Sequence, residues 1–242
     1  MTPRELAKQL EVNPTLPEGT EERFNGYGLM GMPFSSGHVL ALRRFVASSI
    51  GSGYTSVWHR NPEKSWTFYA DTDPRHSCTR YFGNKAAQAL VTPININWLN
   101  EFSFEVTVAH VQLRWFVAIA ATPVTKAMNA MGSVLPQFAW KNEVVLSLMG
   151  KMAAIGLGLQ KVGLSGKVPN GQHFIANPKK IWAVTESHAT IAGEDLGTPT
   201  PLQQQASLQD FWIPQQGILA FGQVYFDMFD ASKHSAATHI AA

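Results

Sequence analysis

Cysteine is almost absent from this 242-residue sequence, because Cys78 is its one example. A single thiol cannot form an internal disulfide, and it cannot supply a structural zinc site built from several cysteines. We therefore expect Cys78 to be an inert, partly buried thiol, as free cysteines usually are.

Charge is also scarce. Charged residues make up 15% of the chain, the formal net charge is +2, and no block of like charges occurs. This composition predicts neither a nucleic-acid footprint nor a polybasic membrane patch, and it fits small neutral ligands better than polyanions. A hydrophobic fraction of 45% excludes a disordered or coiled-coil chain and leaves enough apolar residues for a sizeable core.

Long uninterrupted apolar runs are missing as well. The first 20 residues contain three prolines and no apolar run of signal-peptide length. The most apolar later segment, 144–159, carries Lys151 and several glycines, and it is too short for a membrane span. The sequence therefore predicts a cytoplasmic protein without stable membrane insertion.

Signature motifs of several enzyme classes are absent. The segment Ser35–His38 lacks the G-x-S-x-G elbow of serine hydrolases, and no glycine cluster forms a dinucleotide fingerprint. His59, Asp71, Asp73 and His76 are suitable metal-ligand types, but no H-E-x-x-H-like spacing connects them. We predict no metal and no cofactor.

The segment from Gly53 to Gly83 holds the densest run of aromatic, acidic and imidazole side chains. Two alternating stretches flank an Asn-Pro turn, which indicates a β-hairpin followed by a polar loop. A four-residue loop at Asn61–Lys64 predicts four facing pairs: Arg60 with Ser65, Trp58 with Thr67, Ser56 with Tyr69, and Tyr54 with Asp71. A slip of one residue would exchange these partners.

Elsewhere the pattern is mostly that of strands, with one helical segment. Residues 102–108 alternate with a period of two, and 111–121 continue as a longer strand. After Thr122 the apolar spacing becomes helical, which predicts a helical hairpin over 123–159. These helices either pack on the sheet or on a partner subunit, or they form a methionine-rich lid over a ligand cavity.

Roughly eight to ten short strands predict a mainly β protein: a closed antiparallel barrel with a helical-hairpin insertion that encloses one small ligand. The expected organisation is an N-terminal arm (1–26), a single barrel domain (27–230) and a C-terminal tail (231–242).

The candidate catalytic group is Asp71, because neighbouring aromatic rings could desolvate its carboxyl group and make it an acid or base. Tyr54, Tyr69 and His76 are expected to assist it. The alternative is that 71–74 form an Asx-type turn in which the aspartates accept backbone N–H groups. The predicted ligand contacts are Trp58, Ser56, Phe68, Met128, Met131 and Trp115.

The order of elements resembles lipocalin-like barrels of the carotenoid-hydratase kind. The residues that carry this likeness are Leu42–Phe45, the hairpin Ser56–Tyr69 and the strand Lys179–Val184. The resemblance implies addition, elimination or rearrangement without a cofactor on hydrophobic, often terpenoid, molecules.

A second likeness rests on Arg80–Lys85 and Asp210–Gly217, which resemble segments of acetoacetate-decarboxylase-like barrels. It implies that Lys85 is a Schiff-base amine, a role that requires burial or a neighbouring cation.

Three functions follow as hypotheses. The first is a cofactor-independent lyase or isomerase that acts by acid–base catalysis on a small hydrophobic ligand in the barrel. The second is a decarboxylase or C–C lyase that uses Lys85, and the third is a carrier of a lipophilic metabolite. We expect a small hydrophobic molecule as partner, no nucleic acid, and possible self-association through the helical insertion.

Overall fold

The computed structural model describes residues 1–236, apart from the side chain of Gln137. The predicted tail, 231–242, therefore lies partly outside the described residues. The helices in the described part are α1 (Pro3–Val12), α2 (Thr79–Phe82), α3 (Pro123–Val134) and α4 (Glu143–Gly156), with short 3₁₀ turns at Pro74–His76, Gly83–Lys85, Ala109–Val111 and Gln137–Lys141.

The strands of the described part are β1 (Glu22–Leu29), β2 (Met32–Pro33), β3 (Val39–Ser48), β4 (Tyr54–Arg60), β5 (Trp66–Ala70), β6 (Ala86–Val91), β7 (Ile94–Asn100), β8 (Ser103–Val108), β9 (Leu113–Ala120), β10 (Ser165–Lys167), β11 (His173–Ile191), β12 (Glu194–Asp195), β13 (Ser207–Leu208), β14 (Phe211–Trp212) and β15 (Ile218–Phe226). The mainly β class is confirmed. No helix among residues 1–236 is long and apolar enough to cross a membrane.

Thirteen of these strands form one curled sheet, along the path β6-β5-β4-β3-β1-β15-β11-β9-β8-β7. The curl brings β4 into contact with β7, although they are far apart along the path. Within the described residues, β6 and β7 do not pair with each other, so the sheet is an open half-barrel rather than the closed barrel that we predicted.

The prediction of a purely antiparallel sheet is also wrong, since β5 and β6 run parallel. The cause is the connection between them. Instead of a tight hairpin turn, the segment from Pro74 to Lys85 forms helical turns that carry the chain back, and such a crossover delivers the next strand in the same direction.

The inside of the curl is filled by side chains. One apolar cluster contains buried residues from nine of the ten strands of the path, with Trp115 and Leu42 fully buried in it, and Leu90 of the tenth strand, β6, packs against it. Ala7 of α1 packs against the same cluster; this helix begins with a capping box, in which Thr2 accepts from the Glu5 N–H and the Glu5 carboxylate accepts from the Thr2 N–H. The ligand chamber predicted inside the barrel is therefore occupied by the core.

The predicted register of the β4–β5 hairpin is wrong by one residue. The observed pairs are Trp58 with Phe68 and Ser56 with Ala70. The loop contains five residues, because the Asn61 side chain accepts from the Ser65 N–H (2.8 Å) and Lys64 adopts a left-handed conformation (φ 67°). This places Tyr69 on the inner face of the sheet and Trp58 on the outer face.

The outer face of the sheet is covered in two parts. An aromatic cluster around Phe24, Trp58 and Phe226 lies over one part. Helices α3 and α4 cover the other, where Ala153 and Leu159 pack against Ile181, Ile218 and Ala220.

Candidate ligand-binding site

A cavity of about 150 Å³ lies between the outer face of the sheet and the helices α3 and α4. We call it the outer cavity. The small residues of its floor are Gly26, Ala220 and Gly222, its flexible apolar walls include Met30, Met128, Met131 and Met149, its aromatic walls include Phe45, Trp58, Phe211 and Trp212, and its polar lining includes Arg43, Tyr54, Cys78 and Asn177.

Two positions of the floor, Gly26 and Gly222, require glycine because neighbouring backbone atoms lie too close for a Cβ. A Cβ at Gly26 would collide with the carbonyl oxygen of Arg44, and a Cβ at Gly222 would collide with that of Asn177. Both glycines lie in strands whose pairing shifts nearby, at Asn25/Gly26 and at Pro178/Lys180. Glycine in a strand interior commonly marks such a close approach of backbones.

Arg43 is the unusual residue of this cavity. It lies in the middle of β3, is 4% exposed, and forms none of the ion pairs of the described residues. Its Nη1 donates to the carbonyl oxygens of Leu29 and Leu42 (2.8 Å each), and its Nη2 donates to that of Met30 (3.2 Å). These bonds use three of the five guanidinium N–H groups.

Aromatic faces provide the other contacts of Arg43. Its Cζ lies 4.7 Å from the ring centroid of Trp58 and 5.6 Å from that of Phe211. Burial lowers the pKa of Arg43 to about 10, which still leaves a cation at neutral pH. A buried charge without a counter-ion costs several kcal/mol even after relaxation, and the backbone carbonyls and ring faces around Arg43 offset part of this cost.

Tyr54 and Cys78 form the second polar group of the cavity. The Tyr54 hydroxyl lies 3.1 Å from Cys78 Sγ, and the Ser56 hydroxyl donates to the same sulfur at 3.8 Å. Burial raises the pKa of Tyr54 far above its usual value. Burial also raises the pKa of Cys78, although Tyr54 and Arg43 act in the opposite direction. The phenol and the thiol are therefore neutral hydrogen-bonding groups beside a fixed cation.

Of the four residues predicted to be catalytic, Tyr54 lines the outer cavity and the other three do not. Asp71 is exposed and accepts from the Thr55 N–H (2.7 Å) at the strand end. His76 is exposed on a 3₁₀ turn, and Tyr69 lies in the core inside the curl.

The Asx-turn interpretation of residues 71–74 agrees with the structure at Asp73, whose side chain accepts from the Arg75 N–H two residues later (2.8 Å). Asp71 also accepts a backbone N–H, but from Thr55 on the neighbouring strand β4, so its carboxylate joins two strands rather than closing an Asx turn.

Three of the six predicted ligand contacts line the cavity, namely Trp58, Met128 and Met131. Ser56 lies behind Cys78, and Phe68 packs on Trp58 with ring centroids 4.9 Å apart. Trp115 is elsewhere, in the inner core, where its Nε1 donates to Ser187 Oγ (2.9 Å).

Sequence reasoning missed Arg43 as a site residue, although one signal was available. Arg43 and Arg44 interrupt an apolar strand together, and alternation places them on opposite faces. Arg44 reaches Glu11 of α1, with its Nε 2.8 Å and its Nη2 2.6 Å from the carboxylate. Arg43 has no such acidic partner among residues 1–236.

Lysine and metal ligands are not part of the cavity as described. Lys85, the candidate Schiff-base amine, is exposed, and no lysine of residues 1–236 lines the outer cavity. Within the same range, no group of three or more histidine, cysteine, aspartate or glutamate side chains is arranged to hold a metal ion.

Comparison with known proteins gives little further information. No protein-family model matches the chain, and no curated protein matches it. Among solved structures, the chain is similar to acetoacetate decarboxylase from Legionella pneumophila subsp. pneumophila str. Philadelphia 1, with 10% identity, a TM-score of 0.41, and coverage of 92% of this chain and 89% of that chain. This finding coincides with the second of the two resemblances seen in the sequence; the lipocalin-like resemblance is not confirmed.

Proposed function

We propose that the protein binds a small hydrophobic carboxylate in the outer cavity and that Arg43 pairs with the carboxylate. The observation that supports this is a buried guanidinium in an apolar chamber, with no acidic partner among the described residues. Two of its N–H groups, on the neighbouring atoms Nε and Nη2, have no acceptor there. Arginine binds carboxylates through such pairs of donors.

The dimensions of the cavity restrict the hydrophobic part of the ligand. An apolar cavity of roughly 150 Å³ is large enough to hold benzene. We therefore expect one ring or a short branched chain attached to the carboxylate, and a long terpenoid would have to protrude. The methionines from α3, α4 and the end of β1 can adjust their shape to such a group.

Calorimetric titration tests this proposal. Small aryl and branched-alkyl carboxylates are compared with their primary amides, which have the same shape without the charge. We expect wild type to prefer the carboxylate by at least about tenfold, since a hydrogen bond to a charged group contributes roughly 1.5–3 kcal/mol. Arg43→Met should remove this preference, and Arg43→Lys should retain part of it.

Arg44→Met is the matched control, because Arg44 is adjacent in sequence but contacts Glu11 rather than the cavity. It should leave the preference for carboxylates unchanged. Equal affinity of wild type for acids and amides, or an unchanged preference in a folded Arg43→Met variant, would overturn the proposal.

The second candidate function is acid–base chemistry on the bound carboxylate, as in a cofactor-independent lyase or isomerase. The observation that favours it is the neutral Tyr54 hydroxyl on the same wall as Arg43. A phenol in an apolar site can donate a hydrogen bond to an oxyanion that develops on the substrate, while the guanidinium holds the carboxylate.

Turnover of the carboxylates that bind tests the second candidate, with product formation or solvent deuterium incorporation followed by NMR. Tyr54→Phe should bind them with nearly unchanged affinity and react about 10²–10³ times more slowly, the usual loss for one oxyanion donor. If wild type binds these acids but converts none of them, a carrier function remains.

A further inference from the structure

The outward face of α4 is apolar, although it faces solvent. Leu146, Gly150 and Ala153 are buried on the inner side of this helix. On the outer side, the side chains that recur at spacings of four, four and three residues are Val144 (79% exposed), Leu148 (59%), Met152 (43%) and Ile155 (85%). A helix that is hydrophobic on all sides normally lies inside a larger core or against a membrane.

The apolar surface continues beyond α4. Phe138 and Val134 are 78% and 79% exposed in the segment that precedes α4, and Val124 at the start of α3 lies beside Gly156 at the end of α4. Of the 14 large hydrophobic residues that are exposed in the described part of the chain, seven lie within residues 124–155. Exposed apolar residues clustered in this way mark an interaction surface rather than scattered surface positions.

Positive charge is concentrated in the same part of the chain. Residues 122–181 contain seven lysines and one acidic residue, Glu143, whereas the rest of the chain contains 12 basic and 16 acidic residues. The net charge of +2 conceals this asymmetry. Lys126 on α3 and Lys151 on α4 are exposed and take part in none of the ion pairs of residues 1–236.

From this combination we infer that the exposed face of α3 and α4 docks on the surface of an anionic lipid bilayer. Apolar side chains enter the boundary between headgroups and acyl chains, and the lysines contact anionic headgroups. The 14 residues of α4 span roughly 21 Å, less than the ~30 Å of a hydrocarbon core, so the helix lies along the surface.

Charge favours lipid over a second copy of the chain. A two-fold interface would bring the same surface of both copies together, so lysines such as Lys151 would approach one another with Glu143 as the one acidic residue of that segment. Like charges opposed in an interface cost several kcal/mol. An anionic bilayer complements the same lysines.

Vesicle sedimentation tests the inference, with phosphatidylcholine vesicles that contain 30% phosphatidylglycerol and with pure phosphatidylcholine vesicles. We expect the full chain to sediment with the anionic vesicles, and to do so less at 0.5 M NaCl because salt screens the lysines. The double substitution Leu148→Gln, Ile155→Gln should weaken this binding at least tenfold. Lys126→Glu with Lys151→Glu should weaken binding to the anionic vesicles.

The matched control is Val91→Gln with Leu99→Gln, which changes two exposed apolar residues of β6 and β7 that lie outside this face. It should bind vesicles like wild type. Absence of wild-type binding to anionic vesicles, or wild-type binding by a folded Leu148→Gln, Ile155→Gln variant, would overturn the inference. So would a dimer in sedimentation velocity that this double substitution dissociates, since the face would then belong to a second copy.

Discussion

At the scale of single residues, the outer cavity places three polar groups where solvation is poor. Arg43 keeps its proton, and Tyr54 and Cys78 keep theirs, because burial works against a charge on the phenol and the thiol. The pKa of Cys78 nevertheless depends on Tyr54 and Arg43, which lower it. This dependence can be measured directly, because Cys78 is the only cysteine of the chain.

We predict that Tyr54→Phe raises the pKa of Cys78 further, because it removes a hydrogen bond that lowers it. The measurement is the alkylation rate of the thiol by iodoacetamide as a function of pH, read by mass spectrometry. Tyr27→Phe is the control, since that hydroxyl also belongs to a cavity residue but donates to Glu11 (3.3 Å). An unchanged or lower apparent pKa in Tyr54→Phe would contradict the prediction.

At the scale of elements, a buried carboxylate joins α2 to the sheet. Glu22 of β1 accepts from Arg80 (2.6 Å from Nη2), from the Tyr81 hydroxyl (2.6 Å) and from the Gln172 side chain (3.2 Å). Burial raises the pKa of Glu22, but these hydrogen bonds together outweigh burial and the pKa is lowered. The position of α2, and with it Cys78 at its start, depends on this network.

Glu22→Gln should lower the free energy of unfolding by about 2–3 kcal/mol, which is less than for a fully buried pair because the Arg80 side chain is 30% exposed. Urea unfolding near pH 7 measures this loss. Glu186→Gln, which breaks an exposed pair with His188, should change stability by about 0.5 kcal/mol or less. Equal effects of the two substitutions would show that the network does not stabilise the fold.

Asn129 attaches α3 to the sheet next to the cavity methionines. Beyond the last β9–β11 pair, its side chain accepts from the Ile181 N–H (2.8 Å) and donates to the Ile181 carbonyl (2.9 Å). Asn129→Ala should remove both hydrogen bonds to the Ile181 backbone and weaken the attachment of α3 to the sheet. We expect faster hydrogen exchange over residues 123–134 and weaker ligand binding, whereas Ser133→Ala, which loses only a bond to Ala130, should change neither.

Helices α3 and α4 were predictable from the sequence because their signals are local, whereas α2 lies in a segment that we predicted to be a polar loop. Thr122 and Pro123 mark the start of α3, and the Thr122 hydroxyl does accept from the Thr125 N–H (3.2 Å). The hairpin register was not predictable in the same way. It depends on the left-handed conformation of Lys64, and a lysine in the sequence does not predict that conformation as a glycine would.

The cavity could be predicted only in part, since its walls come from distant segments. Two patterns in the sequence indicated part of it. The apolar helical stripe contains Met128 and Met131, and the aromatic strand contains Tyr54 and Trp58. Arg43 could not be placed, because whether a strand arginine is solvated or buried depends on what covers that face. Here the cover is supplied by α3, α4 and β14, which lie 80 or more residues later in the chain.

At the scale of the whole molecule, stability should depend on pH through a pair of histidines. His38 Nδ1 and His59 Nε2 lie 2.7 Å apart, which allows one proton between them. Burial, together with a smaller effect of the charge of His38, lowers the pKa of His59 to about 4, and burial also lowers the pKa of His38. The unfolded chain therefore binds protons at a higher pH than the folded protein does.

Because these pKa values are depressed in the folded state, the stabilisation is present above about pH 6.5 and is lost as the pH falls toward 4. We expect the free energy of unfolding to fall by about 2 kcal/mol between pH 7.5 and pH 5. His59→Gln should flatten this dependence, and His76→Gln, at an exposed position, should not. Urea unfolding at both pH values measures this change. The same pH dependence of the unfolding free energy in wild type and in His59→Gln would contradict the role of the histidine pair.

The outer cavity lies outside the curl, so the side chains on the two faces of a strand have different surroundings. Along β3, Leu40 and Leu42 point into the filled interior, whereas Arg43 points into the chamber. Neighbouring positions of the same strand therefore have different roles, since Leu40 and Leu42 fill the core and Arg43 lines the outer cavity. Variants randomised only at Arg43, Met128, Met131 and Met149 should therefore retain the fold while binding different ligands, a separation that a ligand enclosed within a closed barrel would not allow.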